Sequence, residues 1–262
     1  MSLLSAKGIS AGYGNRTVIN DISFDIEAGE LVGIVGSNGC GKTTLLKSVC
    51  NNLAHSGSCV IDDITVEKSS AKDIAAVCSY IPQKSGINID ISVLDVVLMG
   101  YNPHLGFLEY PNKDMKEKAM NVLQQVGLSG FEDRNFLSLS EGQKQLCVLA
   151  RAIVSDCKVF LMDEPESALD FSVRYKILDF LKEMLEVNKK SALVTLHDIS
   201  LALNYCDKLL LVNNGTVEAI AEPKKDDLSS LEEKLGKLFG KVSLREVADS
   251  KGKKSLVMIR ES

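Results

Sequence analysis

Gly36-Ser37-Asn38-Gly39-Cys40-Gly41-Lys42-Thr43 has the spacing G-x-x-x-x-G-K-[ST], the pattern of a phosphate-binding loop. Leu31-Val32-Gly33-Ile34-Val35 precedes it, a short apolar run that fits a buried strand. Thr44-Leu45-Leu46-Lys47-Ser48-Val49 follows and can open a helix with Leu45, Leu46 and Val49 turned inward. A triphosphate needs backbone N–H groups aimed at it, and glycines let the chain curl closely enough to supply them. The positive end of the following helix points at the same phosphates. In this reading residues 36–44 hold the nucleotide. Lys42 brings a mobile charge to the β- and γ-phosphates, and Thr43 offers a hydroxyl to Mg²⁺.

Downstream, Val159-Phe160-Leu161-Met162 reads as a buried central strand. It delivers Asp163 and Glu164 to its carboxyl end, where ligands bind in open α/β sheets. Two adjacent carboxylates there would be costly as mere structure. Asp163 can hold Mg²⁺ through its water shell, and Glu164 can polarise an attacking water. Ala192-Leu193-Val194-Thr195-Leu196 is another buried-strand candidate with His197 at its end. His197 is read as a structural histidine or as a γ-phosphate contact. Val77-Cys78-Ser79-Tyr80-Ile81 reads as a strand stopped by Pro82, and Gln83 could coordinate a metal or a water through its amide carbonyl.

Around these strands the pattern changes twice. In residues 1–30, Ile22, Phe24 and Ile26 alternate with polar residues, an antiparallel β layer beside an α/β core. Tyr13 lies in Gly12-Tyr13-Gly14, read as a flexible loop; it is either a solvated tyrosine or a platform for a purine ring. Residues 57–68 suggest a strand and a turn at Asp62-Asp63. Across residues 84–155 helical spacing takes over, interrupted by the turn-rich stretch Tyr101-Asn102-Pro103-His104-Leu105-Gly106. Within it Ser140 can cap a helix and Gly142 allows close backbone approach. This is an ordinary helix start or a second phosphate-binding helix end acting on a neighbouring subunit. A hairpin around Asn213-Asn214-Gly215 follows. After Pro223 come an amphipathic helix and two short strands.

Composition narrows the classes. The 262 residues are 45% hydrophobic and 25% charged, with a formal net charge of −5, which gives no general reason to expect a nucleic-acid partner. No apolar run approaches the roughly 20 residues of a membrane-spanning helix. The N-terminal apolar stretch is too short for a signal peptide. Seven cysteines without a C-x-x-C pair suit buried side chains in a reducing cytoplasm. Cys40 differs: the helix start and Lys42 are expected to lower its thiol pKa, so alkylation there should block nucleotide binding.

In this order the motifs resemble those of the ATP-binding subunit of ABC transporters, over residues 3 to about 222. Residues 36–43 match its Walker A loop, Gln83 its Q-loop, and Leu139-Ser140-Glu141-Gly142-Gln143 its signature, with Glu141 where Gly is commonest. Residues 159–163 match Walker B, Glu164 the catalytic carboxylate, Ser167-Ala168-Leu169-Asp170 the D-loop, His197 the switch histidine and Tyr13 the adenine-stacking aromatic. The resemblance implies a P-loop NTPase core with an antiparallel β subdomain and a helical insert at about 84–155, forming an ATPase domain over 1–222. Residues 223–262 would be a small α/β extension. It implies ATP and Mg²⁺, with Thr43, Gln83 and Asp163 on the metal. It also implies a head-to-tail dimer with Ser140, Gly142 and Gln143 facing the partner's ATP. Further implied are a membrane permease, an external substrate-binding protein and a peripheral place on the cytoplasmic membrane face. The segment Met99-Gly100-Tyr101-Asn102-Pro103-His104-Leu105-Gly106 is similar to that of iron-siderophore, haem and cobalamin importers. A metal-ion importer, a soluble ABC-type mechanoprotein and a non-hydrolysing regulatory binder are the other readings. Glu166 departs from the usual small residue and is expected to add charge near the dimer seam.

Overall fold

The computed structural model describes residues 2–261. Its centre is a six-stranded sheet in the order β10-β9-β3-β8-β7-β6. The strands are β3 (Leu31–Val35), β6 (Cys78–Ile81), β7 (Val159–Asp163), β8 (Ser191–Thr195), β9 (Lys208–Asn213) and β10 (Thr216–Ala221). All run parallel except β10, which returns from β9 through a turn with Asn214 and Gly215 at positive φ. Strands covered on both faces read as continuous apolar runs, as these do.

Alternate residues feed two cores. Val32, Ile34, Leu161, Leu193 and Leu210 face one cluster, while Leu31, Val35, Phe160, Met162 and Val194 face the other. The first is closed by helix α1 (Lys42–Val49) and by an antiparallel sheet. That sheet contains β1 (Ser2–Tyr13), β2 (Arg16–Glu27), β4 (His55–Ile61) and β5 (Ile64–Thr65), ordered β2-β1-β4-β5. The second is closed by α3 (Val93–Leu98), α4 (Lys113–Gln125), α5 (Glu141–Val154), α6 (Phe171–Asn188) and α7 (Ile199–Tyr205). Helix α8 (Leu228–Phe239) and the hairpin β11 (Val242–Ala248)–β12 (Lys254–Arg260) contribute Leu231, Leu235, Val242 and Leu244 to that same core. Asn204 on α7 fixes β12, accepting from the Leu256 N–H at 2.8 Å and donating to its carbonyl at 2.9 Å.

The structure corrects three local expectations. Tyr13 is not in a flexible loop: it is the last residue of β1, paired with Arg16 across a tight hairpin. Gly12 is required there, because a Cβ would fall 2.0 Å from the Arg16 carbonyl oxygen. Val77 is not strand but the end of helix α2 (Ala71–Val77), whose start carries a reciprocal cap between Ser70 and Asp73. The stretch around Pro103 is a short 3₁₀ helix, Met99–His104, fastened to the end of α5 by His104 Nε2 on the Ser155 carbonyl at 2.6 Å.

Candidate nucleotide-binding site

Strands β3, β7 and β8 are neighbours, so the residues at their carboxyl ends must meet. The loop after β3 curls over the start of α1, with Gly39 and Gly41 at φ 78° and 110°, conformations that side chains rarely adopt. Gly36 is tighter still, since a Cβ there would lie 2.2 Å from the Val212 carbonyl oxygen. Lys42 Nζ is held above the loop by the carbonyls of Gly36 and Ser37, at 2.8 and 3.2 Å.

Asp163, at the end of β7, is buried and accepts from Thr43 Oγ1 at 3.1 Å, Thr195 Oγ1 at 2.9 Å and Tyr80 OH at 3.4 Å. Burial, with the Asp163 carboxylate added to it, pushes the Tyr80 phenol well above its ordinary range, so it remains a donor. Glu164 follows at φ 50°, with its N–H bonded to Thr195 Oγ1 at 2.8 Å. Its carboxylate meets His197 Nε2 on one oxygen and Gln83 Nε2, at 2.6 Å, on the other. Asn38, Gly39, Gly41, Lys42, Thr43, Thr44, Gln83, Glu164 and His197 thus share one cavity of about 370 Å³ with Val18.

The glycine-lined loop, the Lys42 ammonium and the N-terminal end of α1 form a cradle suited to phosphate oxygens. The oxygens of Thr43 and Asp163, with the amide of Gln83 one residue away through Glu164, suit a hard cation such as Mg²⁺. Thr195 and Tyr80 were not singled out from sequence. Thr195 had a legible signal, a polar residue at the end of an apolar strand two places before His197.

Other expected residues lie elsewhere. Tyr13, about half exposed, lies outside this cavity's lining, as do Ser140, Gly142 and Gln143. Ser140 caps α5, accepting from the Gln143 N–H at 3.3 Å while its own N–H donates to Gln143 Oε1 at 3.0 Å. Gly142 is needed for packing within the chain, because a Cβ would come within 2.8 Å of the Ala168 carbonyl oxygen. Cys40 reverses its expectation. Its side chain is buried beneath the loop, and burial raises the thiol pKa more than Lys42 lowers it. Glu166 reverses its expectation too. It is 4% exposed, so it adds no surface charge; burial raises its carboxyl pKa against the backbone N–H groups of Glu166 and His197 and the Arg174 guanidinium.

Comparison with known proteins identifies the family. The family model described as "ABC transporter" matches residues 19–167. The hemin import ATP-binding protein HmuV of Vibrio parahaemolyticus is 34% identical over 218 residues, 81% of this chain and 82% of the relative. The manganese transport system ATP-binding protein MntB of Bacillus subtilis is 34% identical over 207 residues, 78% of this chain and 81% of the relative. A solved chain from an inward-facing ABC transporter described as of metal-chelate type superposes with a TM-score of 0.81 at 27% identity, covering 100% of this chain and 99% of the other. The chain belongs to the ABC transporter family, as one of its ATP-binding subunits.

Proposed function

We propose that this ATPase subunit hydrolyses ATP through the cavity at the ends of β3, β7 and β8 and so drives a separate membrane permease. The observation that carries the reading is the convergence of Lys42, Thr43, Gln83, Asp163, Glu164 and His197 on one site from sequence-distant segments. Backbone N–H groups of residues 36–44 and Lys42 bind the triphosphate of the substrate. Thr43, Asp163 and Gln83 hold Mg²⁺, which when bound neutralises charge on the phosphate oxygens. Glu164 orients and polarises the attacking water, and His197, bonded to Glu164, faces the γ-phosphate. Thr195 donates to the Asp163 carboxylate and accepts from the Glu164 backbone N–H, and so holds both residues in place.

In this reading two copies pair head to tail. Ser140, Gly142 and Gln143 of one copy then face the nucleotide of the other, and Tyr13 stacks on its adenine. Residues 1–222 act as the ATPase unit, with the helical insert at about 84–155, and 223–262 as an extension. A groove of about 440 Å³ between α2 and the 3₁₀ turn, lined by Ile74, Ala75, Met99 and Pro103, offers the permease a docking place. No helix among the described residues is long and apolar enough to cross a membrane, which fits a peripheral subunit on the cytoplasmic face. Its cargo is a metal-containing species delivered by an external binding protein. A metal chelate such as an iron-siderophore, haem or cobalamin is the first reading, and a metal ion such as manganese the second, favoured by the likeness to MntB.

The test is co-purification from detergent-solubilised native membranes, using tagged Glu164→Gln protein with ATP and Mg²⁺. A polytopic permease among the partners supports the reading. Soluble partners alone, from protein that folds and binds ATP, would contradict it.

A further inference from the structure

Three large apolar side chains stand in solvent on one loop. Phe107 is 100% exposed, Leu108 80% and Tyr110 85%. Nowhere else among the described residues do three exposed large apolar side chains come so close together in the chain. The loop is held in shape. The Glu109 N–H donates to the Gly106 carbonyl at 3.1 Å, closing a tight turn with Phe107 and Leu108 at its corners. The Glu109 carboxylate folds back and accepts from the Gly106 N–H at 2.7 Å. Before the turn, Leu105 packs against the core and its carbonyl accepts from Lys72 Nζ at 2.9 Å. After it, Asn112 caps α4 by accepting from the Met115 N–H at 2.9 Å. Apolar side chains presented on an ordered turn lose less freedom on binding than those on a slack one. A contiguous exposed apolar patch of this kind marks an interaction surface.

The place of the turn in the fold indicates what it meets. It follows directly on the 3₁₀ helix Met99–His104, whose Met99, Asn102 and Pro103 line the groove of about 440 Å³. Lys72, which holds the base of the turn, belongs to α2, whose Ala71, Ile74 and Ala75 line the same groove. The turn is thus continuous with both walls. The groove also has a charge preference. Arg151, on α5, is the only Lys, Arg, Asp or Glu among its lining residues, and no carboxylate forms an ion pair with it among the described residues. A cation partly withdrawn from water gains most from a carboxylate, which a guanidinium grips with two parallel hydrogen bonds. A lipid surface covers a protruding turn but does not enter a groove, whereas a protein segment does both.

We infer that Phe107, Leu108 and Tyr110 form a second contact for the permease, continuous with the groove: they cover apolar residues of one of its cytoplasmic segments, while a carboxylate of the same segment enters the groove and pairs with Arg151. The segment is acidic as well as apolar. The inference rests on the permease reading proposed above.

The test is made in native membranes. With p-benzoylphenylalanine substituted at Phe107, irradiation is expected to join position 107 to a cytoplasmic segment of a polytopic membrane protein. Mass spectrometry of the joined peptide should find Asp or Glu among apolar residues. The pair Phe107→Ser and Leu108→Ser should cut the permease recovered from solubilised membranes by about tenfold or more. Both positions are exposed, so the urea midpoint and basal ATP turnover of that variant should match wild type. Arg151→Gln should cut recovery similarly, and Arg151→Lys should restore most of it. Crosslinks confined to lipid would overturn the inference. So would sedimentation of wild type, but not of the serine variant, with phosphatidylserine vesicles when permease recovery is equal for the two. A joined segment without carboxylates, or recovery unchanged by Arg151→Gln, would overturn it as well. In each of these cases a permease still recovered with wild type leaves the permease reading standing. Wild-type protein that recovers no polytopic partner would overturn both.

Discussion

Thr195→Val separates the hydrogen-bonding role of Thr195 from its packing. Thr195 is fully buried in a central strand, and valine has the same shape and suits that strand, so no cavity opens. Two bonds are lost: the hydroxyl's donation to Asp163 Oδ1 at 2.9 Å and its acceptance of the Glu164 N–H at 2.8 Å. A hydrogen bond to a charged group contributes about 1.5–3 kcal/mol and one between neutral groups about 0.5–1.5 kcal/mol. The expected loss of stability is therefore about 2–4 kcal/mol. With a slope of about 3 kcal/mol per molar urea, the unfolding midpoint should fall by about 1 M. Glu164 sits at φ 50°, a conformation that costs a non-glycine residue about 1–3 kcal/mol and must be held from outside. Released from Thr195, Glu164 should reorient, and kcat should drop by about tenfold or more, with ATP affinity little changed. Urea unfolding followed by circular dichroism, with steady-state phosphate release, measures both. A midpoint within about 0.2 M of wild type together with unchanged kcat would show that the two Thr195 bonds hold neither the fold nor Glu164.

Other expectations follow from the same geometry. Lys42→Ala removes the lysine ammonium from the cavity lining and should weaken ATP binding by about 100-fold or more by calorimetry; retained affinity would count against the loop as the phosphate site. Cys40, buried with a raised thiol pKa, should resist iodoacetamide at pH 8 in the folded protein and react once urea unfolds it; rapid labelling of the native chain at Cys40 by mass spectrometry would show the loop to be open. Burial would raise the Asp207 carboxyl pKa, but Lys224, the Leu31 N–H at 2.9 Å and Lys182 outweigh it and hold it below the ordinary 3.8. A folded-state value below the unfolded one contributes stability above about pH 4 that is lost as pH falls through the folded value, so Asp207→Asn should lower stability at pH 7 and flatten its decline below about pH 5. An unchanged slope of urea midpoint against pH would remove Asp207 from that role.

Much of the site was legible because its signals are local. The strand, glycine loop and helix around Lys42 are contiguous, and Asp163-Glu164 and His197 each follow an apolar run. What could not be read depends on groups far apart in the chain. Cys40 beside a helix start and a lysine reads as an activated thiol, but its environment is set by the Gly36 and Val212 backbone packed above it. Glu166 reads as a charge near the dimer seam, yet the fold buries it to 4% exposure. The end of strand β1 hides: Gly12-Tyr13-Gly14 reads as a loop, but with register shifts against β2 the strand runs on to Tyr13. Helix α2 had a signal, Ser70 three places before Asp73, that was outweighed by the strand-like Val77-Cys78-Ser79-Tyr80-Ile81 run.

In the proposed mechanism Glu164 acts on water in a cavity that binds ATP. The most direct measurement compares wild type with Glu164→Gln in Mg²⁺ and ATP, following γ-phosphate release in a single turnover and mass by light scattering. The variant is expected to bind ATP close to wild type, to hydrolyse it about 100-fold or more slowly, and to accumulate as a dimer that disperses when nucleotide is removed. Phosphate release near the wild-type rate would contradict it.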